Sequence, residues 1–215
     1  KFPAQFLNIF LSEMKITIFI AMFLGLCVNL FAQTYDTKYT IEYALKDASG
    51  NIKSKMMLYR NGSKMKFVKF DNAGKPDSTS TSIYIFKDEP KIYNIVTNSA
   101  GKFGTKNAVD MMYVGMQTGV YILDLGHDGK IFNSGTRVGS ETVLGMDCVK
   151  YTIASQSVPG DHASSDYYMY QDNLMIKRWV GNAAEGNSIE ALRYDNTSDV
   201  PESIFVVPAD VQYLN

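Results

Sequence analysis

Few residues in this chain of 215 could do chemistry. Cys148, within GSETVLGMDCVKY (Gly139–Tyr151), is the one thiol outside an apolar N-terminal stretch. A nucleophilic thiol needs a neighbouring base and an electropositive setting. The two histidines, His127 in GHDG and His162 in PGDHASSD, have no spacing that brings either beside it. His127 with Asp128, or His162 with Asp161 and Asp166, could each contribute metal ligands. Neither shows the i, i+4 histidines or paired cysteines of a metal site, and Asp-Gly and Pro-Gly explain both stretches as turns. There is no G-x-S-x-G elbow, phosphate-binding P-loop or G-x-G-x-x-G fingerprint. GKFGTK (Gly101–Lys106) has the glycines of a phosphate loop at the wrong spacing and reads as a loop. No catalytic residue, metal or cofactor is expected, and Cys148 reads as a small buried strand residue.

What stands out instead is apolar and soft: 11 Met, 14 Tyr, 12 Phe and the single Trp179. Met56, Met57, Met65, Met111, Met112, Met116, Met169 and Met175 fall in predicted elements. Such residues fill a core, and they also suit the wall of a cavity for an apolar guest. A net charge of -1 gives no basis for binding nucleic acid or an anionic membrane surface.

The elements that would position these residues are mostly strands. In YDTKYTIEYAL, Tyr35, Tyr39, Ile41, Tyr43 and Leu45 alternate with polar residues, the period of a half-buried strand. Ile52–Tyr59 and Lys64–Phe70 flank Asn61-Gly62, a pair that tolerates positive φ and marks a tight hairpin. Ser82–Lys87 and Lys91–Thr97 follow. Further strands are expected at Lys130–Arg137, Asp147–Ala154, Tyr167–Gln171, Leu174–Val180 and Ile189–Tyr194. Between Lys106 and Val120 the apolar spacing becomes three and four, predicting one short amphipathic helix capped by Asn107. Short connections make the strands antiparallel. Several, such as Ile92–Val96 and Tyr167–Val180, are apolar on both faces. The expected fold is therefore mainly β, a strongly curved antiparallel sheet whose concave face is covered by the helix and loops.

Met14, Lys15 and the uncharged run Ile16–Ala32 have the layout of a secretory signal peptide cleaved after Ala32. A membrane anchor fits less well, because the run is short for a span, Asn29 interrupts it and no basic flank follows. LGLC offers lipidation at Cys27 as a minor alternative. Residues 1–13 then read as an upstream extension and 33–215 as a single domain. The expected location is the periplasm or cell envelope, with no membrane span after cleavage. Cys148 is left without a disulfide partner.

GSETVLGMDCVKYTI, YYMYQDNLMIKRW and PESIFVVPADVQY occur in an order that resembles uncharacterised exported bacterial proteins related to the LolA/LolB-type lipoprotein carriers. Gly139, Glu141, Thr142, Gly145, Cys148, Tyr170, Leu174, Arg178, Phe205 and Pro208 carry the resemblance. It implies an incomplete β-barrel with helices over its concave side, around a hydrophobic cavity that in the carriers takes lipoprotein acyl chains. Arg60 stands in a hairpin comparable to the one that carries a functional arginine in those carriers, but the match around it does not support transferring that role.

The expectation is thus a non-enzymatic envelope protein holding a lipid or acyl chain. Its cavity would be lined by Met57, Tyr59, Phe67, Tyr84, Phe86, Met112, Met116 and Trp179. The alternative is a structural or interaction protein with a self-filled core and a protein partner in the envelope.

Overall fold

The computed structural model describes residues 35–71, 78–86, 88–89, 91–108, 110–123, 135–154, 164–181 and 186–214. The signal-like segment, Cys27, His127, Asp128, Asp161 and His162 lie outside them, as does the side chain of Met112. The described residues belong to the compact unit Tyr35–Asn215.

Twelve strands form one sheet: β1 (Lys38–Lys46), β2 (Ile52–Asn61), β3 (Lys64–Asp71), β4 (Thr79–Phe86), β5 (Lys91–Asn98), β6 (Gly101–Ala108), β7 (Thr136–Val143), β8 (Met146–Ala154), β9 (Ser164–Tyr170), β10 (Leu174–Gly181), β11 (Asn187–Asp195) and β12 (Gln212–Tyr213). Their order across the sheet is β12-β6-β5-β4-β3-β2-β1-β11-β10-β9-β8-β7. Two meanders, β1–β6 and β7–β11, are therefore joined side by side where β1 pairs with β11. Among the described residues all strand pairings are antiparallel except β12 with β6, and the sheet does not close on itself. The Asn61-Gly62 turn joins β2 to β3 as expected, with Gly62 at φ 62°.

The helix, α1 (Met111–Thr118), is shorter than its apolar spacing predicts and starts later. Asp110 caps it, accepting from the Tyr113 N–H at 3.1 Å, where Asn107 was expected to do so. Gly101–Ala108, read from sequence as a loop running into the helix, is strand β6. It pairs with β5 along its whole length. As the near-edge strand it needs no apolar alternation, which is why its glycines and lysines concealed it. Most of the strand expected at Lys130–Arg137 lies outside the described residues; β7 runs from Thr136 to Val143 and carries the GSETV segment.

Cross-strand register sorts the side chains into rows. On the concave face one row runs Tyr194, Ile41, Leu58, Phe67, Ile83 and Asn94. Beside it run Ala191, Tyr43, Met56, Lys69 and Thr81. Met111 and Val114 of α1, then Val120, Tyr121 and Ile122, complete the buried cluster against this face. Val68, Tyr84 and Ile95, on the convex face, are buried as well. The C-terminal segment crosses that side. Its 3₁₀ turn Glu202–Phe205 packs on β3 with Phe205 buried, and a Cβ added to Gly104 would lie 3.0 Å from Val211 Cγ1. Lys38–Asp199, Lys64–Glu202 and Lys102–Asp210 pair the segment to β1, β3 and β6. On this side of the sheet β3 thus has cover on both faces.

Candidate functional site

A groove opens on the concave face where α1 ends. α1 stops at Gly119, whose φ of 71° closes the last turn with its N–H on the Gly115 carbonyl at 2.7 Å. A side chain there would be strained, and its Cβ would collide with Ile189 Cδ1. This tight landing leaves Met116 pointing outward at 72% exposure. It also leaves Gln117 and Thr118 as a partition with a cavity on each side.

The larger cavity, about 220 Å³, is walled by Tyr43, Leu45, Met56, Met116 and Ile189, with Ser54, Lys69 and the chain from Gln117 to Gly119 supplying the polar rim. The smaller, about 100 Å³, lies over Phe67, Thr81 and Ile83 and shares Met56, Lys69, Gln117 and Thr118 with the first. Neither contains an acidic residue in its wall. Each is below the roughly 300–1,000 Å³ usual for a small-molecule site. Together, with the partition moved aside, they approach it.

Two cations stand at the groove. Lys69 pairs with Asp71 at 3.1 Å, both about two-fifths exposed, a surface pair worth at most about 1 kcal/mol. Arg178 lies deeper, its cross-strand neighbours being Ile189 on β11 and Tyr167 on β9. Its guanidinium carbon stacks 5.2 Å from the Tyr167 ring centroid, and Nη1 lies 3.8 Å from where a Gly119 Cβ would be. Nε is buried with no hydrogen-bond partner. Among the described residues no carboxylate pairs with Arg178.

Of the residues expected to line a cavity, Phe67 and Met116 do so. Met57, Tyr59, Tyr84 and Phe86 fall on the opposite face, one residue out of phase with Met56, Leu58, Ile83 and Ile85. There Tyr59, Lys66, Tyr84, Tyr93 and Lys106 form a row in which Lys66 sits 4.6 Å from the Tyr84 ring and Lys106 5.3 Å from that of Tyr93. Trp179 is likewise out of phase with Arg178 and packs against Gly186. Tyr43 and Leu45 belong to the alternating face legible in the first strand. Met56 is one of the methionines that suit a cavity wall, whereas Ile189 carries no signal beyond its strand.

Cys148 is fully buried, within 3.6 Å of the Met146 carbonyl. Burial first, then the Asp147 and Glu141 carboxylates, push its thiol up to about 11 against a partial offset from the Val143 backbone. At neutral pH it is not a thiolate. Asp166 is held below the usual carboxylate range: hydrogen bonds from Thr152 and Lys150 and the lysine's charge outweigh desolvation, the largest single influence. Among the described residues no three His, Cys, Asp or Glu side chains come together to hold a metal ion, and no helix is long and apolar enough to cross a membrane.

No protein-family model matches the chain, and no curated protein matches it. It is similar to solved structures. One is the MucA/MucB complex of Pseudomonas aeruginosa: 9% identity, TM-score 0.48, 82% of this chain and 58% of the other. A DUF1329 family protein from Desulfovibrio piger gives 10% identity, TM-score 0.39, and 85% and 95% coverage. A domain named for outer-membrane lipoprotein sorting, from Vibrio parahaemolyticus, gives 9% identity, TM-score 0.35, and 85% and 95%. The chain thus spans about 58% of the length of the MucA/MucB chain it resembles. Likeness of this degree assigns neither activity nor ligand.

Proposed function

We propose that this protein is a cell-envelope carrier that holds an apolar guest, a lipid or acyl chain, in the groove between α1 and the concave face of the sheet. The observation that supports this reading is the pair of adjoining cavities over Tyr43, Leu45, Met56 and Phe67, which share Met56, Lys69, Gln117 and Thr118 in their walls. The last turn of α1 carries the exposed Met116 and ends at Gly119, whereas Met111 and Val114 are buried, so the last turn is the part of the helix that a guest would displace. Burying about ten methylenes at ~0.8 kcal/mol each gives roughly 8 kcal/mol before entropic costs. That corresponds to about micromolar binding at best, suited to a load that must be released. The signal-like N-terminus supports an exported location.

The test is titration of delipidated protein with the neutral fluorophore N-phenyl-1-naphthylamine, in the wild type and in Ser54→Phe, which puts a ring into the larger cavity. Saturable binding in the wild type that Ser54→Phe weakens tenfold or more supports the groove. No binding, or binding indifferent to the plug, overturns it.

A second reading, an interaction protein with a protein partner in the envelope, draws on how far the chain's own Tyr39, Ile41, Leu58, Met65 and Ile92 already fill the concave face. In that case the wild type binds no fluorophore and a partner co-purifies from envelope extracts.

A further inference from the structure

Resting on the groove reading, we propose that the guest is an anionic single-chain amphiphile, and that Arg178 holds its carboxylate or phosphate head. A buried guanidinium nitrogen without a partner is costly, and natural proteins rarely leave one so. Here the Nε of Arg178 has no acceptor, and no carboxylate of the described residues balances the charge. The arginine is nonetheless fixed: the Tyr167 ring lies under it, Ile189 beside it and the end of α1 above it.

That position meets the groove. Gly119 and Ile189 both line the larger cavity, and Nη1 is 3.8 Å from the β position of Gly119, a position that Ile189 Cδ1 crowds, so the guanidinium lies just behind the cavity wall. A rotation of the Ile189 side chain would open the cavity over Tyr43 and Met56 to this rigid fork of donors. A guanidinium takes either a carboxylate or a phosphate in bidentate fashion. The absence of acidic residues from both cavity walls leaves nothing to repel such a head. Lys69, exposed and already paired with Asp71, assists entry electrostatically but does not select.

The experiment uses the full chain and four probes of one chain length: hexadecanoate, hexadecyl phosphate, hexadecanol and hexadecyltrimethylammonium, each displacing N-phenyl-1-naphthylamine. Wild type should bind one or both anions about tenfold more tightly than the alcohol, and the cation most weakly. Which anion leads identifies the head as carboxylate or phosphate. Arg178→Gln should bring the anions to within about twofold of the alcohol while leaving the alcohol unchanged, Arg178→Lys should restore part of the preference, and Lys69→Gln should keep it. If Arg178→Gln fails to fold, the salt dependence of the wild type serves: anion affinity falling with ionic strength against a constant alcohol affinity supports the assignment. Equal affinity for anion and alcohol in the wild type overturns Arg178's role yet leaves the groove intact. Failure of every probe to bind overturns both.

Discussion

Tyr43 donates its phenolic hydrogen to the backbone carbonyl of Met175, 2.7 Å away on the far side of strand β11. The reach is possible because the residue opposite Tyr43 on β11 is the small Ala191. The carbonyl sits where β10 bulges after Met175 and where pairing with β11 has not yet begun. A side chain from the third strand satisfies it, and the same ring walls the groove. Tyr43→Phe should cost about 1–2 kcal/mol through the carbonyl left buried without a donor. Urea unfolding checks this, and an unchanged midpoint would mean water replaces the phenol.

Alkaline titration should separate the tyrosines. Burial, then repulsion from Tyr39 and Tyr194, raises Tyr43 well above its ordinary value. Tyr194 is raised by burial and by its bond to Asp36, 2.6 Å away. The unfolded chain loses these protons near pH ~10 and the folded chain only higher, so the unfolded state binds fewer protons above that point. Stability should be level from neutral pH to about 9 and fall beyond about 10. In tyrosinate absorbance, part of the signal should appear only together with loss of structure. All tyrosines ionising near 10 in a folded protein would contradict this.

Cys148 should resist thiol reagents at neutral pH in the native protein and react at once in denaturant, since it is both buried and shifted up to about 11. Cys148→Ala should lose about 1 kcal/mol and keep any ligand binding. Rapid native labelling, or lost binding in a folded variant, would return the thiol to the candidate site.

On the convex side, Phe205→Ala should destabilise by about 3 kcal/mol. Its ring is buried where the C-terminal segment crosses β3. Exposed apolar surface should then appear as binding of a hydrophobic dye without loss of the concave groove. A surface-like loss under 0.5 kcal/mol would show the segment to be loosely laid.

The hairpins were legible in the sequence because their cause is local: Asn61-Gly62 dictates its own turn, and Tyr39, Ile41 and Tyr43 alternate cleanly. The groove was only half legible. In MMLY (Met56–Tyr59) both phases are apolar, and which one faces α1 depends on contacts with residues far along the chain. Met57 and Tyr59 match Met56 and Leu58 in residue type, and register alone puts them on the other face. Strand β6 was hidden because pairing, not side-chain pattern, makes it a strand. The cover over β3 comes from the Glu202–Phe205 turn, more than a hundred positions away, beyond the reach of any local pattern.

The junction of β1 with β11 has a bearing on how the chain folds. The Asp36–Tyr194 contact closes a loop of 158 residues, against 13 for the Glu42–Lys55 contact of the first hairpin. Loop-closure entropy makes the former about 2 kcal/mol costlier. Each meander can therefore zip from its own turns, whereas the junction waits for both. During synthesis β1 must keep its outer edge vacant until β11, about 140 residues later, has left the ribosome, so the two halves of the sheet join only after each has its own strands.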